Sequence, residues 1–262
     1  MKSFLKWAGG KQRLIPELLS HVPETYNVYF EPFIGAGSLY LALRPKTAVI
    51  GDLNLELLET YRGIQNDPQK VIDLLKTYPN TKEDFCKIRD SSPTSQTERA
   101  ARMVYINKCG FNGLYRVNKN GKCNVAFGKR AKVGYEFDNI LEVGNFLKTQ
   151  TNTQILGGDY KAILPMVGSG DFIYLDPPYY GTFAGYTSVM FTNEDLQKLA
   201  DFVDACVAKG AKVLISNSNH EEVKKVFAKY TIKEINLPWV ISGKSKGIKK
   251  HTTEVLIKTY GE

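Results

Sequence analysis

Four consecutive residues, Asp176-Pro177-Pro178-Tyr179, combine groups that could activate a poor nucleophile. They follow Phe172-Ile173-Tyr174-Leu175, an apolar run that reads as a buried strand. Two prolines in succession fix the backbone and remove its donors. A carboxylate, a free carbonyl and an aromatic ring then stand at fixed offsets in one short turn. That set suits an exocyclic amine on a flat base, whose nitrogen lone pair is conjugated into the ring. If Asp176 accepts one N–H and the Pro177 carbonyl the other, the nitrogen becomes more tetrahedral and its lone pair is released. Tyr179 would stack on the base. Fixed acceptors of this kind stabilise positive charge as it develops in a transition state. The bland alternative is a proline turn capped by an aspartate. Its position after a buried strand, and downstream of the nucleoside-type residues described next, weighs against that.

Two earlier segments suit a nucleoside. Glu31-Pro32-Phe33-Ile34-Gly35-Ala36-Gly37-Ser38 places two glycines one residue apart, which lets the backbone turn sharply close to a ligand. Asp52 lies fifteen residues after Gly37 at the end of a second strand-like run, where an acid can hydrogen-bond ribose hydroxyls. Asp52 could instead cap the helix that starts near Asn54. The dinucleotide pattern lacks its third glycine, and Ser38 opens no phosphate loop. The segment therefore reads as a site for a nucleoside without a pyrophosphate.

These residues need a scaffold that gathers strand ends. Strand-like runs occur at Val28–Phe30, Thr47–Gly51, Thr153–Leu156, Asp171–Leu175, Lys212–Ser216, Tyr230–Asn236 and Glu254–Thr259. Helical patterns alternate with them, among them Asn193–Lys209 and Glu221–Lys229. Alternation predicts a mostly parallel sheet with helices on both faces. In such sheets ligands bind outside the carboxyl ends of the strands. Only a loop separates the last two runs, which predicts antiparallel pairing. Residues 54–150 hold helical stretches, notably Thr97–Lys108, and no strong strand. They read as an inserted helical subdomain, with 1–53 and 151–262 forming the sheet domain.

Charge placement points to the partner. The 262 residues carry 35 basic and 27 acidic side chains, a net charge of +8. Lys108 to Lys132 contains seven basic residues and no acid, and Gly243 to His251 contains four lysines and no acid. Outside those two segments, 24 basic residues face 27 acidic ones. A positive excess confined to two short stretches is the footprint of a polyanion. No window of apolar residues is long enough to span a membrane. The start Met1-Lys2-Ser3-Phe4-Leu5-Lys6-Trp7 has no apolar signal core. Cys86, Cys109, Cys123 and Cys206 form no C-x-x-C pair, which argues against a disulfide framework or zinc site. A reducing compartment, the cytoplasm, and no metal are expected.

The residues carry a resemblance to the Dam-type, or DpnII-type, DNA adenine-N6 methyltransferases, over essentially the whole chain. Phe4-Leu5-Lys6-Trp7-Ala8-Gly9-Gly10-Lys11 is similar to their N-terminal cofactor motif, and Glu31–Ser38 to their glycine motif. Asp176–Tyr179 resembles their catalytic tetrapeptide. Phe111–Asn118 with Asn124-Val125-Ala126-Phe127-Gly128 resembles their target-recognition hairpin, here at about 109–134. The resemblance implies a seven-stranded Rossmann-like sheet of the kind that uses S-adenosylmethionine. It implies Trp7, Lys11, Phe33, Gly35, Gly37, Asp52, Asp159, Tyr160 and Asp176 around that methyl donor. Asp176, Pro177 and Tyr179 would bind and activate an adenine flipped out of duplex DNA. Arg116 would read a guanine, Leu114 and Ala126 would pack at a thymine, and Lys6 would reach the first base pair. Phe111 would wedge into the base stack with Asn112 beside it. Asn118 and Lys129, with Lys244 and Lys246 of the second basic segment, complete the expected DNA contacts. GATC is the implied target. The implied partners are duplex DNA, no membrane, action as a monomer and, for some members, a cognate restriction endonuclease that does not bind the methyltransferase.

The chain departs from the family at two hairpin positions. Ala126 stands where members usually carry Pro, and Cys123 where they usually carry Phe. Ala126 still offers a methyl-sized contact, but less rigidly. Rival chemistries fit less well. Cytosine-C5 methylation needs a nucleophilic Cys, usually beside Pro, and none of the four cysteines follows a proline. Cytosine-N4 and protein-glutamine methylation use tetrapeptides that begin most often with Ser and with Asn. A DNA-binding protein without catalysis would not need the intact tetrapeptide and glycine motif; S-adenosylmethionine binding separates the two.

Overall fold

The computed structural model describes residues 1–118, 120–180, 191–237 and 252–261. The seven predicted strands all form, within a residue or two of the expected bounds, and they belong to one mixed sheet. The expected contacts Lys244 and Lys246 lie outside the described residues. The chain divides into two compact units.

The first unit spans Met1–Val22 and Val28–Ile163. In chain order it holds α1 (Ile15–Ser20), β1 (Tyr29–Glu31), α2 (Ser38–Leu43), β2 (Thr47–Asp52), α3 (Leu55–Asn66), α4 (Pro68–Thr77), α5 (Lys82–Asp90), α6 (Gln96–Cys109), α7 (Phe137–Asn145) and β3 (Asn152–Gly157). Its strands run in the order β3-β2-β1 and are parallel, with Phe30 opposite Val49 and Asp52 opposite Gly157. Tyr29, Phe30, Ala48, Val49 and Ile50 are buried, as expected for strands covered on both faces. Helix starts follow the local chemistry. Asn54 accepts from the Leu57 N–H at the head of α3, Asp67 from the Lys70 N–H on α4, and Ser95 with Glu98 forms a reciprocal capping box on α6. Helix α3 packs on β2, β3 and α6, so the helical segment after β2 lies in the same unit as these strands.

The second unit comprises Pro23–Asn27 and Leu164–Glu262. It holds β4 (Phe172–Leu175), α8 (Asn193–Ala208), β5 (Lys212–Ser218), α9 (Glu221–Val226), β6 (Thr231–Leu237) and β7 (Thr252–Lys258). Its strands run β4-β5-β7-β6. β4 pairs parallel with β5, whereas β7 pairs antiparallel with both β5 and β6. The expected antiparallel pairing of the last two strands is observed, and β7 lies between its neighbours rather than at the edge. All four residues of β4 are buried, so the tetrapeptide leaves a fixed strand end.

Candidate functional site

In the first unit, the ends of β1 and β2 bring the nucleoside-type residues together. Asp52 is buried at the end of β2, its Oδ2 accepting from the Gly35 N–H (3.0 Å) and its Oδ1 from the Asn54 N–H (2.9 Å). Capping of α3 falls to Asn54, not to Asp52. Burial raises the Asp52 carboxyl above its ordinary range, and the N–H bonds from Asn54 and Gly35 partly oppose this. Each oxygen retains a second lone pair for a further donor. Gly35 adopts a left-handed conformation (φ 45°), and a Cβ there would lie 3.0 Å from the Trp7 ring. Gly37 is also left-handed (φ 64°) and precedes α2. The turn also depends on Glu31, whose buried carboxylate accepts from the Tyr29 hydroxyl (2.6 Å) and the Tyr40 N–H of α2 (3.1 Å). The Phe33 and Tyr160 rings pair with centroids 5.2 Å apart. Lys11 is buried and donates to the Gly9 carbonyl (2.6 Å). Asp159 is exposed and accepts from the Lys161 N–H (2.8 Å). A glycine turn under an indole, a buried carboxylate with spare lone pairs and a pair of flat rings fit an adenosine.

The same unit carries the predicted hairpin. Residues 110 and 117 bridge antiparallel to 127 and 123, and Asn124 N–H donates to the Arg116 carbonyl (3.0 Å). Burial alternates along both arms. Tyr115, Cys123 and Val125 point inward, while Leu114, Arg116, Asn124 and Ala126 are exposed on the other face. Asn124 Oδ1 accepts from Arg116 Nε (2.9 Å), which steers the guanidinium. Asn118 closes the tip, its Oδ1 accepting from the N–H groups of Asn120 (2.9 Å) and Lys122 (3.1 Å). Phe111 is 55% exposed and Leu114 44%. Asn112, beside the exposed phenyl, has φ 56°, and Lys129 is exposed with φ 52°.

The inward face fixes the hairpin. Tyr115 stacks on Trp7 (5.6 Å between centroids, 16°) and donates to Glu56 of α3, which also receives Arg102 of α6. Arg89 of α5 donates to the Val125 carbonyl (3.0 Å), and Phe127 packs on Phe85 (5.5 Å). Asn107 of α6 is fully buried. It accepts from the Lys6 N–H (2.8 Å) and donates to the carbonyls of Lys6 (2.6 Å) and Gly113 (3.0 Å). Gly113 is left-handed (φ 67°), and a Cβ there would lie 2.6 Å from Lys6 Cδ. Only a glycine lets the Lys6 stem lie against the hairpin. The Lys6 ammonium is held below its ordinary range by burial first, then by Arg130 and Lys108.

In the second unit, Asp176-Pro177-Pro178-Tyr179 leaves the buried end of β4. The Tyr179 hydroxyl donates to Glu254 Oε2 of β7 (2.6 Å). Burial, then the charges of Asp176 and Glu254, push this phenol well above its ordinary range. It therefore remains a neutral donor at physiological pH. The next residue, Tyr180, is held by its N–H on Asn217 Oδ1 (3.3 Å) and by its carbonyl on the Ser218 hydroxyl (3.3 Å). Among the described residues, no group of three His, Cys, Asp or Glu is placed to hold a metal, and no helix is long and apolar enough to cross a membrane.

Residues 7–238 match the family of D12 class N6 adenine-specific DNA methyltransferases. The chain belongs to that family. The type II methyltransferase M1.LlaDCHI of Lactococcus lactis subsp. cremoris is 34% identical over 274 residues, covering 100% of this chain and 96% of that protein. The type II methyltransferase M.MjaIII of Methanocaldococcus jannaschii is 31% identical, covering 99% of each. A DNA adenine methylase of Vibrio cholerae is 33% identical, covering 86% of this chain and 84% of its own. The chain is thus an adenine-specific DNA methyltransferase, as the motifs implied, and DNA is its class of substrate.

Four residues of this methyltransferase gain a place that sequence reading did not assign. Asn107, Asn124, Glu56 and Glu254 each hold a residue that was singled out. Asn107 left a faint signal, a polar residue directly after the apolar stretch Met103-Val104-Tyr105-Ile106 of a helix. Asn124 stood in the hairpin motif without a role of its own, and Glu56 and Glu254 read as ordinary surface residues.

Proposed function

We propose that this methyltransferase transfers a methyl group from S-adenosylmethionine to N6 of adenine in the duplex palindrome GATC, on a base flipped out of the stack. The observation that supports the sequence assignment is the exposed row Leu114, Arg116, Asn124 and Ala126 on the hairpin. Arg116, steered by Asn124, suits the O6 and N7 acceptors of guanine. Leu114 and Ala126 offer apolar contact to a thymine methyl. Lys6 reaches the first base pair. The exposed Phe111 ring, with Asn112, offsets the unstacking of the target. Asn118 shapes the tip, and Lys129, Lys244 and Lys246 meet phosphates.

The cofactor supplies, when bound, a methyl carbon activated by a sulfonium charge. Asp52 takes the ribose hydroxyls, and Tyr160, with Phe33 packed beside it, meets the adenine end. Gly35 and Gly37 keep the turn close, while Trp7, Lys11, Asp159 and Asp176 complete the set. Asp176 and the Pro177 carbonyl accept the two N–H bonds of the target amine, which frees its lone pair for in-line attack. Tyr179 stacks on the adenine. A palindrome presents the same site on both strands, so a monomer serves both in separate visits. Residues 54–150 act as the target-recognition part, and 1–53 with 151–262 as the catalytic part.

Sequencing that detects N6-methyladenine on random duplex DNA tests this reading. GATC is the expected motif, with sites altered at T methylated before sites altered at G. Arg116→Ala is expected to lose about 1–3 kcal/mol of discrimination at its guanine. Ala126→Pro is expected to tighten the thymine position. Another dominant motif would overturn the hairpin assignment, and methylcytosine as the sole product would overturn the chemistry.

A further inference from the structure

The end of the catalytic turn is gripped by two strands of its own unit. Tyr180 is fastened through its backbone to Asn217 and Ser218 of β5 (3.3 Å each), and its ring meets the His220 ring edge-on at 4.7 Å. Tyr179 is fastened through its side chain, at 2.6 Å, to Glu254 of β7. Glu254 is itself a stiff anchor. It lies opposite Ser218 on β5 and Ile235 on β6, so the strand is paired on both sides. The next three residues, Val255, Leu256 and Ile257, are buried. A phenol donating to a carboxylate makes a short, charge-assisted bond that is stronger than a neutral pair. The hydroxyl proton is thereby committed to Glu254. The part of Tyr179 that the proposed reading uses is its ring. Such a ring has two soft torsions, and an anchored hydroxyl fixes the far end of the lever they turn.

We propose that Glu254 is a positioning residue for methyl transfer, holding the Tyr179 ring through its hydroxyl in the plane that receives the target adenine. This rests on the reading of Tyr179 as the stacking residue. Neither residue donates or removes a proton in the reaction. Glu254 contributes orientation, and its effect travels entirely through one hydrogen bond.

Four variants test the proposal: Glu254→Gln, Glu254→Leu, Tyr179→Phe and the Glu254→Leu/Tyr179→Phe pair. Each is assayed by single-turnover methylation at saturating S-adenosylmethionine and GATC duplex, with duplex affinity and circular-dichroism melting in parallel. Glu254→Leu is expected to slow transfer about tenfold with duplex affinity changed less than about twofold, because a transition-state interaction is lost without ground-state binding. Glu254→Gln keeps an acceptor and is expected to stay within about threefold of wild type. Adding Glu254→Leu to Tyr179→Phe is expected to change nothing further, since the bond is already gone. Tyrosine labelled with carbon-13 at Cζ, assigned by its loss in Tyr179→Phe, should show a shifted Tyr179 resonance in Glu254→Leu. A wild-type rate in Glu254→Leu, losses that multiply in the pair, or an unmoved Cζ resonance would each overturn the proposal. Failure of the functional reading is seen separately, as wild-type protein that makes no N6-methyladenine. The Cζ resonance then decides alone, and it must move for the anchor to stand.

Discussion

Asp176 and Asp52 are both carboxylates at strand ends, yet their surroundings set them different tasks. Asp176 follows four buried residues and precedes two prolines, so its position is imposed by the backbone. On the proposed reading, replacing it removes one of the two amine acceptors and leaves the hairpin untouched. Asp176→Ala is therefore expected to abolish turnover while duplex affinity, measured by fluorescence anisotropy, stays near wild type, because phosphate contacts supply most of it. Equal loss of both would give Asp176 a folding role instead. Asp52 is buried and its carboxyl is raised above the ordinary aspartate range. The folded state thus holds the Asp52 proton more tightly than the unfolded chain does. Its contribution to stability falls as pH rises from the unfolded value through the folded one, and it is a fixed cost at neutral pH. If Asp52 takes the ribose hydroxyls as proposed, ligand binding runs the other way, because they need the charged acceptor. S-adenosylmethionine affinity is expected to fall as pH drops through the raised folded value, earlier than an ordinary aspartate would cause. Calorimetric titration across that range checks this, and Asp52→Asn should remove the acid limb.

Among the elements, the hairpin depends most on its supports. Two short arms do not stand alone in water. The Tyr115 hydroxyl on Glu56 of α3, the Val125 carbonyl on Arg89 of α5 and the Gly113 carbonyl on Asn107 of α6 hold them, and the outward row Leu114, Arg116, Asn124 and Ala126 is exposed. Arg102 of α6 is the common tie. It meets Glu56, which also receives Tyr115, and it donates from Nε to the Ile88 carbonyl at the end of α5 (3.1 Å) and to the Arg89 carbonyl. Its side chain is 12% exposed and that of Glu56 30%, so the pair is largely out of water. Arg102→Met is expected to cost about 2–4 kcal/mol, since it leaves the half-buried Glu56 charge without its cation and takes a donor from two carbonyls at once. Urea unfolding would report the loss. Site discrimination should weaken with it, because Leu114 and Arg116 flank the Tyr115 that Arg102 helps to hold.

At the scale of the whole molecule, the charge distribution sets how DNA is met. Outside the two basic segments the chain is slightly acidic, so long-range attraction is concentrated rather than spread. The structure places Arg116, Lys122 and Lys129 on exposed parts of the hairpin region. Duplex affinity is expected to fall steeply with salt, with a logarithmic slope of about 0.9 per phosphate contacted. Lys129→Ala should lower that slope by about one unit and weaken all sequences alike, whereas Arg116→Ala should weaken GATC selectively. A flat response between low and physiological salt would remove the hairpin from the interface.

Local chemistry was legible in the chain itself. Buried apolar runs ending in Asp52 and Asp176 and the glycines of residues 31–38 act over a few residues. Short-range sterics and hydrogen bonding therefore fix them wherever the segment lies. The alternation of strand and helix predicted the sheet, and the family resemblance predicted the hairpin, whose outward face the fold then showed. The strand order was not legible, because pairing of β7 with both β5 and β6 depends on contacts between segments distant in sequence. The same holds for the residues that support the site. Glu254 reads in the chain as one charge at the start of a short strand. Only the fold brings it, from 75 positions away, to the Tyr179 hydroxyl. Asn107 likewise meets Lys6 across 101 positions. Such partners leave no local pattern, since a single long-range hydrogen bond constrains two residue types and no spacing. The sequence by itself determined the family's motifs and the strand ends that carry them, because these are local patterns, and the tertiary structure decided what holds them in place.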